Sequence, residues 1–597
     1  MKQMQNIKQY KSMWIALLML IAITSCRTWD EDFNTNKNNP QVTTGTTIHP
    51  KYFVGPMIDG SDRYISPMIN VMAPVSAYTG KQKSLSQGNR HRSWHDLDGD
   101  IWGPSYSSIR SVKNLRRAAK SIEDTRYEAV ADIWECYLMY TICTFDGPIP
   151  YFDVINDSEE VKYLISYDAQ EDVYPKILEK LKSAGLMIKS GDENIDQKSD
   201  YIFGGDIQKW KKLANTLRFR MALYMHNAKP DDAKAIMKEI VGNADTYPIF
   251  TSNADNFAVN FDGVERISRW FRMGDWQLRE NTMSNVFIER LISLRDPRLY
   301  VYAKPVQKVH DNPATHVLPS NPGPVKYIGH IYGITTGNGD ASSWNGGMDY
   351  ASRIGDAFIT TDENMKATSD CADHPMMLGT YAELNFNLAE AAMKGYIDGG
   401  EGAARQYYQK GIQASIEQYG CEFAGNTKYD GAYANEGLAD LTAYLAQPHV
   451  KWEAGRDKLL LIAEQKWIAS FYLGFESYFD HRRTMLPQLR ASHRSANYES
   501  SGSGTQFPSR TAYPSSEEAE NTVAYNKARA TGFDIPITGD NNRNEARMWL
   551  LNNSLSPSLE MPTFTEPLKS KDEYPGQTNF KKWYDANWET MFWWLNE

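Results

Sequence analysis

Apolar side chains recur at the three-to-four-residue spacing of an α-helix along several stretches of the chain. In one stretch this stripe consists of Val130, Ile133, Trp134, Tyr137, Leu138 and Ile142, which share one helix face. The pattern predicts helices over 126–143, 170–185, 206–225, 381–396, 404–419 and 458–479. Thr125-x-x-Glu128 forms a capping box for the first helix, and Asp206 is suited to cap the helix after it.

Two of these predicted helices form a pair. The segments 381–396 and 404–419 are joined by the helix breaker Asp398-Gly399-Gly400. Small residues at Ala389, Ala392, Gly411 and Ser415 would let the two helices approach closely. The pair resembles one tetratricopeptide-like repeat, although it is longer than the usual period of about 34 residues and no register repeats along the whole chain. We therefore expect a mainly α-helical fold built from helix pairs.

Long stretches rich in turn-forming residues separate the helices. They cover 77–104, 250–360 and 494–545, and the middle one contains several Asn-Pro, Asn-Gly and Gly-Gly steps. Loops of this length without secondary structure are uncommon in compact domains and are usually functional. The sequence thus places the site on loops above a helical scaffold.

The N-terminus has the layout of a secretory signal. Lys2, Lys8 and Lys11 precede an apolar run at 13–23, which is shorter than the roughly 20 residues that span a bilayer. Ile23-Thr24-Ser25-Cys26 resembles a lipobox, so we expect 1–25 to be a lipoprotein signal peptide and Cys26 to be lipidated; an ordinary secretory signal is the alternative. Residues 26–45 predict a flexible acidic and Asn-rich tether, and 46–597 a single helical domain with loop insertions.

Composition and charge narrow the classes of function. The formal net charge of −10 over 597 residues leaves no broad basic surface for nucleic acid. Hydrophobic residues make up 41% of the chain, as in ordinary globular proteins. Aromatic residues are abundant at 12%, with 16 Trp and 35 Tyr. We therefore look for a site that uses aromatic faces rather than charge.

The five cysteines do not form a disulfide scaffold, and none has C-x-x-C spacing. Cys136 and Cys143 lie about 10 Å apart along one predicted helix and cannot bridge each other. Cys371 and Cys421 are the remaining pair for which a disulfide can be considered.

Catalytic and metal-binding motifs are missing from the sequence. The nucleophile-elbow, zinc-protease, P-loop and dinucleotide-binding patterns do not occur. His91 and His95 have helical ligand spacing but lie in a loop beside Arg92, and Asp96-x-Asp98-Gly99-Asp100 departs from the EF-hand pattern. The residues thus give no support for a cofactor or a metal, with a structural calcium left open. A glycosidase carboxylate pair is not excluded by a sequence with 74 acids.

Motifs in order along almost the whole chain resemble SusD/RagB-type outer-membrane lipoproteins, in particular the SusD-like 2 branch. They are Asp32–Asn36 before Pro40, Gly147–Tyr151, Trp210–Arg220, Asp296–Leu299, Glu383–Ala391, Gly411–Ser415, Gln465–Ala469, Arg482–Thr484 and Arg510-x-x-Tyr513-Pro514-x-x-Glu517. The resemblance implies a mainly α, SusD-like fold in which tetratricopeptide-like helix pairs carry long irregular loops.

The resemblance also implies a function. Such proteins sit at the cell surface as lids on SusC-type TonB-dependent transporters in the outer membrane. They capture oligosaccharides, or in some cases peptides, and are not enzymes. We therefore expect an oligosaccharide-capturing lipoprotein, with a peptide-binding lid and a surface glycoside hydrolase as alternatives.

Some of the matched motifs indicate scaffold rather than site. Their arginines and glutamates suit buried ion pairs, because an Arg fork matches a carboxylate. These residues are Arg218, Arg220, Arg482 and Arg483, with Glu383, Glu390 and Glu476 as the acids. We expect these pairs to hold helices together.

A glycan site needs flat aromatic faces for sugar rings and a few polar groups for their hydroxyls. Three loop stretches combine these features. The candidate residues are Arg92, Trp94 and Asp96 in the first stretch, Trp270, Asp275 and Trp276 in the second, and Tyr332, Trp344 and Asn345 in the third. The third stretch also contains Tyr327. The alternative is that these aromatics plug the core beneath the loops. Trp94 and Trp344 are the stronger candidates, whereas Trp102 begins a helical stripe and should be core.

Overall fold

The fold is that of a computed structural model, which describes residues 48–81, 98–157, 165–273, 281–306, 327–330, 351–362, 366–421, 423, 440–453, 455–489, 507–511, 513–530 and 548–551. The chain divides into two compact units, Met1–His49 and Pro50–Glu597. The elements below belong to the second unit. The predicted signal peptide, Cys26 and the tether lie outside the described residues.

Helices dominate the second unit, as predicted. They are α1 Lys51–Ile58, α2 Gly103–Ser121, α3 Thr125–Asp146, α4 Phe152–Ile155, α5 Gln170–Met187, α6 Ile207–Met225, α7 Pro230–Gly242, α8 Asn285–Ser293, α9 Leu299–Tyr302, α10 Tyr381–Met393, α11 Gly400–Gln418, α12 Leu441–Leu445, α13 Lys458–Ala469, α14 Glu476–Thr484, α15 Ser515–Glu520 and α16 Thr522–Ala530. One-turn helical segments include Ser61–Tyr64, Ile65–Pro67, Met68–Met72, Ala73–Val75, Asp98–Trp102, Asn253–Asp255, Ser369–Cys371 and Trp549–Leu551.

Consecutive helices pack against each other as pairs. The α2 helix packs on α3, α3 on α5, and α5 on α6. The α10 helix packs on α11 and also contacts α6 and α13. This succession of neighbouring hairpins is the tetratricopeptide-like arrangement that the sequence predicts, and it buries apolar faces on both sides of the long helices.

The predicted close approach of α10 and α11 is centred on Gly411. A methyl group on this glycine would lie 2.8 Å from Cε1 and Cζ of Phe386 on the neighbouring helix, and Phe386 is fully buried. Contacts that short are repulsive, so only a residue without a side chain fits at this crossing.

Side-chain caps define where the helices begin. Asp206 accepts hydrogen bonds from the Gln208 and Lys209 amides at 3.1 and 3.2 Å, which confirms its predicted role. The capping box predicted at Thr125 is wrong: Asp124 is the cap, and it accepts from the Arg126 amide at 3.0 Å. Thr125 is the first helical residue, because the Asp124 carboxylate one position earlier already satisfies a free amide of the first turn.

The helix predicted over 458–479 is in fact two helices, α13 and α14. Between them Tyr472 and Gly474 have positive φ angles of 54° and 48°, which ends an α-helix. The apolar pattern continues through the break because the connecting residues Phe471, Tyr472 and Phe475 are themselves buried. Burial, not helical periodicity, produces the pattern there.

Two small antiparallel sheets are present, and three of their four strands lie within the stretches predicted as loops. The strands are β1 Thr79–Lys81, β2 Phe257–Val259, β3 Asn281–Met283 and β4 Met376–Gly379, paired as β1 with β3 and β2 with β4. The helices α8, α9, α15 and α16 also fall in the predicted loops 250–360 and 494–545. These stretches are therefore partly structured.

The described cysteines Cys136, Cys143, Cys371 and Cys421 are all free thiols. The disulfide considered for Cys371 and Cys421 is not formed. The Cys371 thiol instead donates to the Thr368 carbonyl oxygen, with Sγ and O 3.2 Å apart.

Candidate functional site

The strand β3 joins the ends of two of the loops predicted to carry the site. Lys81, at the end of β1, pairs with Asn281, at the start of β3. The segment 82–97 follows Lys81 in the chain, and the segment 274–280 ends at Asn281. The sheet therefore brings one stem of each loop to the same edge.

The third predicted loop has both of its stems on the same strand. His330, which precedes 331–350, donates its amide to the Met283 carbonyl and accepts from the Asn285 amide, both at 2.8 Å. On the other side of the loop, Ser352 accepts from the Met283 amide at 2.9 Å, and Arg353 bridges to Thr282. We call the segments 79–81, 281–284, 327–330 and 351–354 the loop base.

Two glycines let the strands of the loop base and its neighbours approach closely. A Cβ on Gly329 would lie 2.3 Å from the backbone of Asn285, and one on Gly355 would lie 1.9 Å from the Val301 carbonyl oxygen. A larger residue would push these stems apart. Sequence analysis missed both positions, because neither glycine belongs to a motif that marks it among 40 glycines.

A cluster of buried aromatic rings supports the loop base from below. Tyr78, next to β1, stacks on Trp467 with ring centroids 5.5 Å apart, and its hydroxyl donates to the Trp467 carbonyl at 2.5 Å. Phe287 on α8 and Phe358 both contact Phe471, at 5.2 and 5.1 Å. The rings come from distant parts of the chain and fix the base to α13 and to the residues after it.

Trp270 belongs to this aromatic layer. Its side chain is 1% exposed, it packs 5.2 Å from the Tyr472 ring, and its indole nitrogen donates to the Pro375 carbonyl at 3.3 Å. Tyr327 is equally buried. Of the two roles considered for these aromatics, the core plug describes both residues, and the Trp270 faces are taken up by protein. Trp102 is also core, as expected.

The other candidate residues lie outside the described residues. They are Arg92, Trp94, Asp96, Asp275, Trp276, Tyr332, Trp344 and Asn345. Three separate loops carry them, and each of these loops has a stem at the loop base. Their roles stay predictions.

Of the four arginines predicted to form buried ion pairs, Arg220 and Arg483 do so with the predicted acids. The Arg220 Nε donates to Glu383 at 2.8 Å and its Nη1 donates to Glu476 at 3.0 Å, which ties α6 to α10 and α14. Burial and the nearby Glu383 raise the pKa of Glu476 to about 7, against the opposing effect of Arg220. Arg218 pairs with Glu239 at 2.8 Å.

A second network lies at the ends of α10 and α14. Arg483 makes a two-pronged contact with Glu390, both bonds at 2.6 Å, and also contacts Asp480 at 2.6 Å. Although burial opposes it, Arg483 holds the pKa of Glu390 well below its usual range. A cavity of about 220 Å³ opens beside these residues.

Arg482 differs from its neighbours in the matched motif. It donates to the backbone carbonyls of Ser509, at 2.6 Å, and of Thr144, so it joins α14 to α3 without a carboxylate.

Within the described ranges, no three His, Cys, Asp or Glu side chains lie together in a way that could hold a metal ion. No described helix is both long enough and apolar enough to cross a bilayer.

Comparison with known proteins shows a match to a protein family. Residues 47–514 match the SusD-like_2 family, which is described as starch-binding and associating with the outer membrane. No curated protein is significantly similar in sequence.

Solved structures share the fold at low sequence identity. A SusD homologue from Bacteroides fragilis superposes with a TM-score of 0.63 at 24% identity, over 85% of this chain and 100% of that one. A chitin-binding SusD homologue from Flavobacterium johnsoniae gives 0.63 at 23%, over 84% and 98%. A SusD-like protein from Bacteroides thetaiotaomicron gives 0.61 at 21%, over 84% and 98%. These likenesses show the fold.

Proposed function

Because the chain belongs to the SusD-like_2 family, we propose that it is a surface lipoprotein that captures oligosaccharides and delivers them to a transporter in the outer membrane. One observation carries the proposal beyond the family: loops bearing Trp94, Trp276 and Trp344 all start or end at the loop base. Stems that meet at one strand favour a shared ligand-binding surface over three unrelated ones.

In this proposal the aromatic and the polar side chains of the loops have different roles in binding. Trp94, Trp276, Tyr332 and Trp344 offer flat faces to the apolar faces of sugar rings. The polar side chains on the same loops, which are Arg92, Asp96, Asp275 and Asn345, bond the hydroxyls and fix the register. The buried aromatic cluster holds the stems in place, so binding would not have to order them.

Calorimetry on the full chain in mild detergent tests ligand capture. The titrants are malto- and chito-oligosaccharides and a matched peptide panel. Trp94→Ala and Trp344→Ala should each lose on the order of 1–3 kcal/mol of binding free energy. Tyr52→Ala, which removes a 63% exposed ring from α1, is the control and should not change the affinity. Unchanged affinity in both Trp variants would move the site elsewhere.

The same titrations separate the alternatives. Binding of peptides alone would replace the glycan proposal by the peptide-binding lid. Release of shorter sugars during incubation would establish a hydrolase and end the proposal of a non-catalytic receptor. Trp270→Ala tests the core role of that side chain: because it is buried, the variant should lose about 3–5 kcal/mol of folding stability.

The anchor and the partner have their own tests. We propose lipidation at Cys26, which intact mass spectrometry detects as added acyl chains and which Cys26→Ser should abolish. We also propose that the partner is a SusC-type TonB-dependent transporter, which should co-purify in mild detergent. An unmodified, released chain would refute the anchor, and repeated failure of co-purification would refute the lid role.

A further inference from the structure

Three cations lie in a row along the solvent side of α2. Arg110, Lys113 and Arg117 follow each other at spacings of three and four residues, which places them on one face of the helix over about 10 Å. Arg110 and Arg117 are exposed, and Lys113 is partly buried. We call these three residues the basic row.

The side chains of the basic row do not hold the fold together. Within the part of the chain that the structure describes, none of the three makes a hydrogen bond or an ion pair. Other cations of the same helix do: the buried Arg116 contacts Asp132 at 2.7 Å, and Lys120 contacts Asp157 at 3.0 Å. The helix thus carries structural cations and, beside them, a row that is available to a partner.

The centre of the basic row lies close to other cations. Burial lowers the pKa of the Lys113 ammonium, and the neighbouring Arg116 and Arg117 add to this effect. Asp157 and Glu135 oppose it, but Arg116 already holds Asp157 at 2.9 Å. An anion from outside the protein would therefore stabilise the charged form of Lys113.

Exposed apolar side chains occur at the end of α2 and on helices packed against it. Ile122, which directly follows α2, is 40% exposed. Tyr52 on α1 and Phe152 on α4 are 63% and 41% exposed, and both helices pack on α2. Basic residues combined with exposed aromatic and aliphatic side chains are typical of surfaces that lie in the headgroup region of a membrane.

We propose that α2 docks on the membrane, with the basic row against anionic phosphate headgroups and the exposed apolar side chains of α2 and its neighbours among them. Guanidinium and ammonium groups donate strong hydrogen bonds to phosphate oxygens. This contact goes beyond the proposed function, because it is a second attachment to the membrane that no acyl chain makes. It does not depend on which nutrient is bound.

Two observations favour a membrane over an acidic protein as the partner. The family of this chain is described as associating with the outer membrane. Along the chain, α1 is the first described helix after the anchor proposed at Cys26, and α1 packs on α2. A lipid surface is therefore present wherever the chain is anchored, whereas an acidic protein would have to be supplied.

The net charge of the chain makes the contact selective in orientation. At −10, the protein as a whole is repelled by an anionic membrane, so a basic face comes within the screening length of about 8 Å more readily than the acidic remainder. Each Lys or Arg close to such a surface strengthens binding roughly fivefold, so the basic row gives roughly a hundredfold preference for this face.

Lysine footprinting on the purified lipoprotein tests the contact. The protein is reconstituted into vesicles of phosphatidylcholine, with or without phosphatidylglycerol, and acetylation of its amines is followed by mass spectrometry. In the anionic vesicles, acetylation of Lys113 should be at least about fivefold slower than in the neutral ones, and high salt should remove most of this protection. Lys410, which is exposed on α11, is the internal control and should react equally in both.

A double variant tests the basic row itself. Arg110→Gln/Arg117→Gln leaves Lys113 in place but should abolish its protection, because the neighbours that attract the headgroups are gone. Lys234→Gln/Lys238→Gln is the matched control: it removes the same charge from exposed positions of α7 and should keep the protection.

Several outcomes would overturn the inference. They are equal acetylation of Lys113 in the two kinds of vesicle, equal slowing of Lys410, and protection that survives in Arg110→Gln/Arg117→Gln. Protection that appears only after a partner protein is added would assign the basic row to that protein instead. If the chain carries no acyl group, the same footprint is read after mixing with preformed vesicles, so the anchor at Cys26 and the docking of α2 can fail separately.

Discussion

The crossing of α10 and α11 allows a stability prediction from one atom. Alanine at Gly411 would place its Cβ 2.8 Å from two carbons of the Phe386 ring and 3.0 Å from a third. Ordinary carbon contacts lie at about 3.5–4.0 Å, so the helices would have to part by roughly 0.7–1.2 Å. Phe386 is fully buried and packs near the Tyr408 ring at 6.4 Å, so the ring has little room to turn aside. Overpacking of this kind costs about 1–3 kcal/mol.

A second glycine on the same helix provides the control. Gly402 is exposed, and a Cβ added there would meet nothing within 4 Å. Both Gly→Ala changes gain up to about 1 kcal/mol from helix propensity. That gain cancels in the comparison of the two variants, so the overpacking cost remains. Gly402→Ala should be slightly more stable than the wild type and Gly411→Ala clearly less stable than Gly402→Ala.

Differential scanning calorimetry measures the difference. An unfolding entropy of roughly 2.1 cal/mol/K per residue, over roughly 550 residues, gives about 1.2 kcal/mol/K. A cost of about 1–3 kcal/mol therefore corresponds to a difference in Tm of about 1–3 °C between the two alanine variants. Equal melting temperatures would show that the helices are not packed as closely as the structure has them.

Two further predictions concern buried charge. Arg220→Met leaves Glu383 and Glu476 without their cation and should cost about 3–5 kcal/mol of folding stability in thermal unfolding. The control Lys176→Met, which breaks an exposed pair with Glu179, should cost less than about 1 kcal/mol. Similar costs for both variants would contradict this account. Burial raises the pKa of Asp146 to about 7, above its value of about 3.9 in the unfolded chain. The folded state therefore binds this proton more tightly than the unfolded state does. As a result, the free energy of unfolding falls as pH rises from about 4 to 7, by at most roughly 1.4 kcal/mol per pH unit. In Asp146→Asn this contribution is lost, so its Tm relative to the wild type should rise from pH 5 to 7 and level off above; a constant offset would contradict the assignment.

The sequence predicts the long helices well because their periodicity is local. The stripe at 126–143 and the cap at Asp206 depend on neighbours a few residues away, and both appear in the structure as α3 and the start of α6. The same periodicity fails at 458–479, where Tyr472 and Gly474 break the helix. Those residues are apolar or small for reasons of tertiary packing, which a one-dimensional pattern does not distinguish from a helical stripe.

The loop base could not be predicted from the sequence. Its pairs join residues far apart in the chain, such as Thr282 with Arg353, and short strands have no clear alternation. Trp270 shows a related difficulty. Its neighbours Arg269 and Arg272 make the stretch polar, as at an exposed site, yet the indole is buried among rings contributed by Phe358 and Tyr472.

The main-chain bonds of the loop base have a consequence for how new specificities arise. Because β3 is joined to its partners by backbone amides and carbonyls, anchorage places few demands on the side chains between the stems. Insertions, deletions and substitutions there can accumulate while the helical body stays unchanged. Exchange of a whole segment between Lys81 and Asp98, or between His330 and Ala351, with that of a relative is thus a practical way to redirect the receptor to another nutrient.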